Sequence, residues 1–264
     1  MTKARLLSLA LILMPLAQAE AASIVAAERA IQSKDFSKAL DELRPLAKDG
    51  DPNAYYLLGT LYRDGQGVEK NRTEAEKYFG SAARQGHLDS VKALRAMKNE
   101  VYLLEYNKTL PLAEQGDANA QNRIGEMNEY GQGVKRDLDS AFNWYQKASK
   151  QGLLAGRHNL ARSYNFGSGT KQDFAKAESL YLEAANQGYA DSMFFLGTMY
   201  ATHNGQNKQT NPDILAYAWM HAASEAGSAT ARTIQDRLLM KLNESELTEA
   251  KHLADEFVGK YVKR

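Results

Sequence analysis

The chain has 264 residues, 44% of them hydrophobic and 25% charged, which is enough for a sizeable core and too little charge for a disordered chain. Its 33 basic and 32 acidic residues nearly cancel, and the longest basic clusters, Lys135-Arg136 and Lys260 to Arg264, are short; no basic face for nucleic acid is visible. With no cysteine, the fold rests on packing without disulfides, and a lipoprotein is excluded because no cysteine can carry the lipid.

The first residues read as an export signal. Lys3 and Arg5 give a basic start, Leu6 to Leu16 an apolar stretch interrupted only by Ser8 and Pro15, and Ala17-Gln18-Ala19 a small-x-small cleavage site. Glu20 ends the apolar run well short of the roughly 20 residues that a spanning helix needs. Cleavage is expected after Ala19, with Ala21 also acceptable, and loss of Lys3 and Arg5 takes the formal charge from +1 to −1. The expected location is a bacterial periplasm, with release from the cell as the alternative and no stable membrane insertion after cleavage.

Beyond the signal the chain repeats itself. Residues 22–48 form a hairpin broken near Lys34-Asp35. Closing glycines follow at Gly50, Gly86, Gly116, Gly152, Gly188 and Gly227, with steps of 36, 30, 36, 36 and 39 residues. The units are about 22–50, 51–86, 87–116, 117–152, 153–188 and 189–227, the third shortened and the last carrying an insertion around Asn204 to Asn211. Leu58-Gly59, Ile124-Gly125, Leu160-Ala161 and Leu196-Gly197 fall in one column. The turns Gly65-Gln66-Gly67-Val68, Gly131-Gln132-Gly133-Val134 and Gly167-Ser168-Gly169 fall in another. A third column reads Ala75, Tyr78, Phe79, Ala82, then Ala141, Trp144, Tyr145, Ala148, then Ala177, Leu180, Tyr181, Ala184, then Ala216, Trp219, Met220, Ala223. Spacing of i, i+3, i+4, i+7 places each set on one helix face, small at the ends and bulky in the middle.

Each unit is therefore predicted to be helix, glycine turn, helix, glycine stop. Thr73 with Glu76 has capping-box spacing for the second helix. Pro45 and Pro111, each five residues before a closing glycine, should bend theirs. After residue 228 comes a cap: a helix over Ala229 to Lys241 and, capped by Asn243 with Glu246, a last one through about Phe257. Strand signals are absent.

The pattern Ala-x-x-x-Leu-Gly-x-x-Tyr, Gly-x-Gly-Val, Ala-x-x-Trp-Tyr-x-x-Ala-x-x-Gln-Gly resembles the Sel-one-like repeat, a relative of the tetratricopeptide repeat, best at Ala54 to Gly86 and Ala120 to Gly152. The stretch from Ala216-Tyr217-Ala218-Trp219 looks like the final unit of bacterial members. Asn128 stands for the expected Tyr, Leu180 for an aromatic, and 87–115 lacks the Gly-x-Gly turn. The resemblance implies an all-α fold: a right-handed α/α superhelical solenoid of about five to six helix-turn-helix repeats with a C-terminal capping helix. It also implies a scaffold for protein or peptide partners in the envelope, in assembly, polysaccharide export, flagellar function or signalling.

Chemistry is not expected. Some cysteine-rich relatives were described as β-lactamase-like, and Ser168-Gly169-Thr170-Lys171 fits Ser-x-x-Lys, with Ser163-Tyr164-Asn165 a loose companion. The Ser lies in a repeat turn and no Lys-Thr-Gly follows. His87, His158, His203, His221 and His252 form no ligand pair, and no phosphate loop follows a strand, so neither metal nor cofactor is expected. What remains is surface. In related solenoids the first helix of each pair lines a concave groove. One stripe of that helix, spaced i, i+4, i+7, reads Tyr56, Thr60, Arg63; Asn122, Glu126, Glu129; His158, Arg162, Asn165; Phe194, Thr198, Ala201. Its candidate partner-binding residues are Tyr56, Arg63, Asn122, Glu126, Glu129, His158, Arg162, Asn165 and Phe194, a ladder suited to an extended peptide. The alternatives are a hydrolase or binding protein for cell-wall material, and a secreted factor that engages a host.

Overall fold

The structure is a computed structural model that describes residues 23–262; the export-signal segment and its cleavage site lie outside the described residues. These form helices and turns without strands: α1 Ile24–Gln32, α2 Phe36–Lys48, α3 Pro52–Asp64, α4 Arg72–Arg84, α5 Leu88–Glu114, α6 Ala118–Tyr130, α7 Leu138–Lys150, α8 Leu154–Phe166, α9 Phe174–Ala185, α10 Ala190–Ala201, α11 Pro212–Glu225, α12 Ala229–Leu239 and α13 Glu244–Tyr261. The described residues fall into two compact units, 23–97 and 98–262.

Within each unit the helix pairs follow from the columns. Ala75, Phe79 and Ala82 of α4, and Ala141, Tyr145 and Ala148 of α7, are at most 2% exposed. Each ring rests on the glycine of its partner helix: a Cβ on Gly125 would stand 2.5 Å from the Tyr145 ring. The bulky ring and the bare backbone are therefore one device, and burying each ring contributes about 1.5–3 kcal/mol. The second glycine of the turn serves stacking on the preceding unit. At Gly133 a Cβ would come within 2.5 Å of the backbone of Tyr102 and Leu103, so side chains there are barred by contact as well as by φ of 74°.

Second helices start on a side-chain cap at one repeat position: Asp35, Asn71, Asp137 and Asp173 each accept from the N–H three residues on. The expected capping box of Thr73 with Glu76 is not formed. Asn71, in extended backbone, takes the cap from Glu74 N–H at 3.0 Å and leaves Thr73 inside the first turn. The box expected at Asn243 and Glu246 is present and opens α13, which runs on to Tyr261. Pro45 and Pro111 sit inside α2 and α5.

Residues 87–116, expected as a shortened helix pair, are instead the single helix α5, which begins in the first unit and ends in the second. Three local signals for a hairpin are missing. The Gly-x-Gly turn is deleted. Val101 occupies the place of the capping Asn71 and Asp137. The facing residues have changed as well: Arg95 stands where Gly59 admits the Phe79 ring, and Lys98 and Lys108 stand where Tyr62 and Tyr78 stack at 5.5 Å. Two lysines face to face repel where two rings attracted. Each half of α5 buries its side chains in its own unit: Ala93 and Met97 with Phe79 and Tyr56, Tyr102, Tyr106 and Ala113 with Ile124 and Met127.

Candidate interaction surface

The expected groove residues do not form an open ladder. Asn122, His158 and Asn165 are 6–8% exposed, and none of the other six is fully exposed. Their burial has a simple cause. Spacing of i, i+4, i+7 assigns residues to one helix face, but in the second unit that face is covered by the first helix of the next pair. In the first unit Tyr56 packs on Phe79 and, 4.8 Å away, on His87, while Arg63 grips Asp64 at 2.7 Å.

In the second unit the stripe is consumed by a polar seam between α6, α7 and α8. Asn159 Nδ2 donates to Asn122 Oδ1 at 3.0 Å, and Asn122 Nδ2 donates to Glu126 at 2.9 Å. Tyr145 Oη donates to one Glu129 oxygen at 2.6 Å, and the other accepts from Arg162 at 3.2 Å. Gln121 donates to the Ala113 carbonyl and accepts from Gln151, and the Asn165 carbonyl accepts from Gln172. Burial opposes the Arg162 charge, but Glu129 and Tyr130 outweigh it and hold the guanidinium protonated. Burial, reinforced by Glu129, pushes the Tyr145 phenol well above its usual range, so it remains a donor. Sequence reasoning missed Gln121, Asn159 and Gln151, although an amide pair one repeat and one residue apart was a usable signal.

His158 closes the seam toward α10. Its Nδ1 lies 3.0 Å from Ser192 Oγ, and its ring packs against Phe195, Tyr189 and Tyr181 at 5.2–5.5 Å. Burial, with help from the Arg162 cation, lowers its pKa to about 3, so the ring is neutral at physiological pH. Phe194 leans on Phe195 at 5.6 Å.

Large apolar side chains in the open occupy a neighbouring position that the stripe omitted. Tyr130 and Phe166, one repeat apart, are the last residues of α6 and α8 and are 56% and 58% exposed. Between them Arg162, fixed by Glu129, donates to Tyr130 Oη at 3.3 Å, and the Phe166 ring meets Phe195 edge-on at 6.2 Å. Aromatic and arginine groups held rigidly at a surface are the residue types that anchor protein interfaces. Ser168 lies in the turn after α8, between Gly167 and Gly169. Among the described residues no group of three potential metal ligands occurs, and no helix is long and apolar enough to cross a membrane.

The Sel1 repeat family model matches residues 52–87, 118–153, 155–189 and 190–228. An uncharacterized protein of Neisseria meningitidis serogroup B is 26% identical over 163 residues, 48% of this chain and 35% of that protein. A solved protective antigen of uropathogenic Escherichia coli strains, displaying an SLR fold, is 25% identical, with a TM-score of 0.53 over 89% of this chain and 52% of that one. A Sel1 repeat protein from Oxalobacter formigenes is 22% identical, with a TM-score of 0.49 over 91% of this chain and 98% of that one. This chain thus spans about a third of the length of the Neisseria relative and about half that of the antigen.

Proposed function

Because the chain belongs to the Sel1 repeat family, we propose that it is a non-enzymatic scaffold that binds a protein partner through the face bearing Tyr130, Arg162, Phe166 and Phe194. Helical repeats of this kind generally mediate protein interaction and build their binding faces from successive units. The observation that carries the choice of face is the pair Tyr130 and Phe166, two exposed aromatics at the same repeat position with a fixed arginine between them. Of the nine candidate residues, Arg162 and Phe194 belong to this face, Glu129 holds Arg162 from beneath, and Asn122 lies in the seam below. The compartment proposed is the bacterial periplasm. Its support is the basic start at Lys3 and Arg5, the apolar stretch, the Ala17-Gln18-Ala19 site and the lack of cysteine.

The test is site-specific cross-linking in living cells. A photo-reactive phenylalanine analogue in place of Phe166 should give a discrete adduct with another protein, and the same analogue in place of the exposed Lys251 on α13 should not. Adding Tyr130→Ala should weaken the adduct at 166. Equal labelling from both sites, or none from 166, would remove the assignment. Fractionating the adduct separates a periplasmic scaffold from a secreted factor.

A further inference from the structure

Beyond the binding face, the buried joint beneath it carries a titratable group that neither the packing nor the proposed function requires to be ionisable. His158 sits where α8, α9 and the start of α10 meet, and only 6% of it is exposed. Its polar partner across the joint is Ser192 Oγ, whose own residue is fully buried. Tyr181, on α9, lays its buried ring against the imidazole, 5.5 Å between ring centres. We propose that protonation of His158 opens the joint between α8 and α10, making this part of the stack an acid-sensitive element.

The groups around the ring define the response. From α8 itself comes the Arg162 cation, tied to Glu129 of α6. From α9 comes Tyr181, and from the start of α10 come Tyr189, Ser192 and Phe195. Burial, then Asp191 of α10 and Glu126 of α6, act on Tyr189, and the charge acting on His158 is that of Arg162. A proton arriving here meets no carboxylate partner; it meets a like charge and three rings. Ring faces return only part of the lost hydration. The closed joint therefore excludes the proton, and an opened one, in which the imidazole regains water, accepts it at its ordinary value of 6.5.

The sign follows from linkage. Between 6.5 and about 3 the open form binds a proton that the closed form refuses, so opening becomes easier as pH falls. The opening equilibrium should rise about tenfold for each step of one in pH within that window, because proton activity rises tenfold and only the open form takes the proton up. Above 6.5 it should be flat. Opening would displace Phe195 and, with it, the support of Phe166; that consequence for binding rests on the function proposed above, whereas the opening itself does not.

Hydrogen exchange followed by mass spectrometry on the purified full-length protein tests this at pH 7.0 and pH 4.5, after correction for intrinsic exchange. Amides of α8 and α10 should open up to about 100-fold more at the lower pH, and α4 should change far less. His158→Phe, which keeps a ring in the nest, should abolish the difference. An equal acid response in wild type and variant would overturn the proposal. Should His158→Phe fail to fold, the imidazole carbon shifts of the wild type decide: they must stay those of a neutral ring in the folded protein down to pH 4.5. A folded-state titration near 6.5 would overturn it equally. No partner is needed for either readout, so failure here leaves the cross-linking test untouched, and the reverse holds as well.

Discussion

Trp144 and Trp219 hold the same position in two copies of one repeat, and their surroundings differ completely. Trp144, on α7, is half-buried and carries the Lys147 ammonium over its ring at 3.9 Å. Trp219, on α11, is 3% exposed because α13 lays Phe257 and Tyr261 against it, 4.4 and 4.7 Å between ring centres. The contrast extends to the regions around them. Among the described residues, eight of the twelve buried polar ones lie in α6, α7 and α8, so this region is joined by directed hydrogen bonds. In α11 the buried run from Ile214 to Met220 is unbroken, and the block α10–α13 is joined mainly by apolar contact. Apolar contact is strong and undirected, whereas a satisfied amide pair fixes register at little net gain in stability. The same repeat thus yields a stable end block and a middle whose geometry is specified more tightly than it is stabilised.

The largest effect should come from removing the ring that marks the end block. Trp219→Ala should lower unfolding free energy by about 3–5 kcal/mol, read from urea denaturation, since the ring is buried against α13. A loss near 1 kcal/mol would mean that α13 contributes little. Next, Asn159→Leu should cost about 1–3 kcal/mol by leaving the buried Asn122 carbonyl without its donor. Adding Asn122→Leu should recover part of that loss, and a double-mutant cycle showing simple additivity would deny the coupling. Smaller still, Asn243→Ala should cost about 1 kcal/mol, because the cap that starts α13 is exposed. Smallest is Phe166→Ala, expected within about 0.5 kcal/mol of wild type despite its place in the proposed binding face, as thermal denaturation would show.

Much of this is readable in the residues. The glycine step locates the pairs, and the alanine–aromatic column locates what they bury, because 3.6-residue periodicity and close approach leave direct marks on composition. Trp144 shows where the reading stops: the column gives the face of a helix and not whether a further helix covers it. The i, i+4, i+7 stripe shows the same limit in reverse, since a neighbouring helix covers part of it. Asn122 and His158 vary between copies because each satisfies a particular neighbour inside the stack. The proposed binding face at Tyr130 and Phe166 escapes the sequence pattern because those residues sit at the helix ends, outside the i, i+4, i+7 spacing. In α5 the 30-residue step is plain, but a hairpin needs a turn, a cap and compatible faces, and Val101, Arg95 and Lys98 withdraw the last two.

The two tryptophans are the only ones in the chain, and they report the two regions separately. Equilibrium urea unfolding of Trp219→Phe follows Trp144 in the seam, and that of Trp144→Phe follows Trp219 in the end block. The seam should lose structure at lower urea than the block, giving two separated fluorescence transitions. Coincident transitions, or a block that melts first, would contradict a middle held by register and an end held by apolar burial.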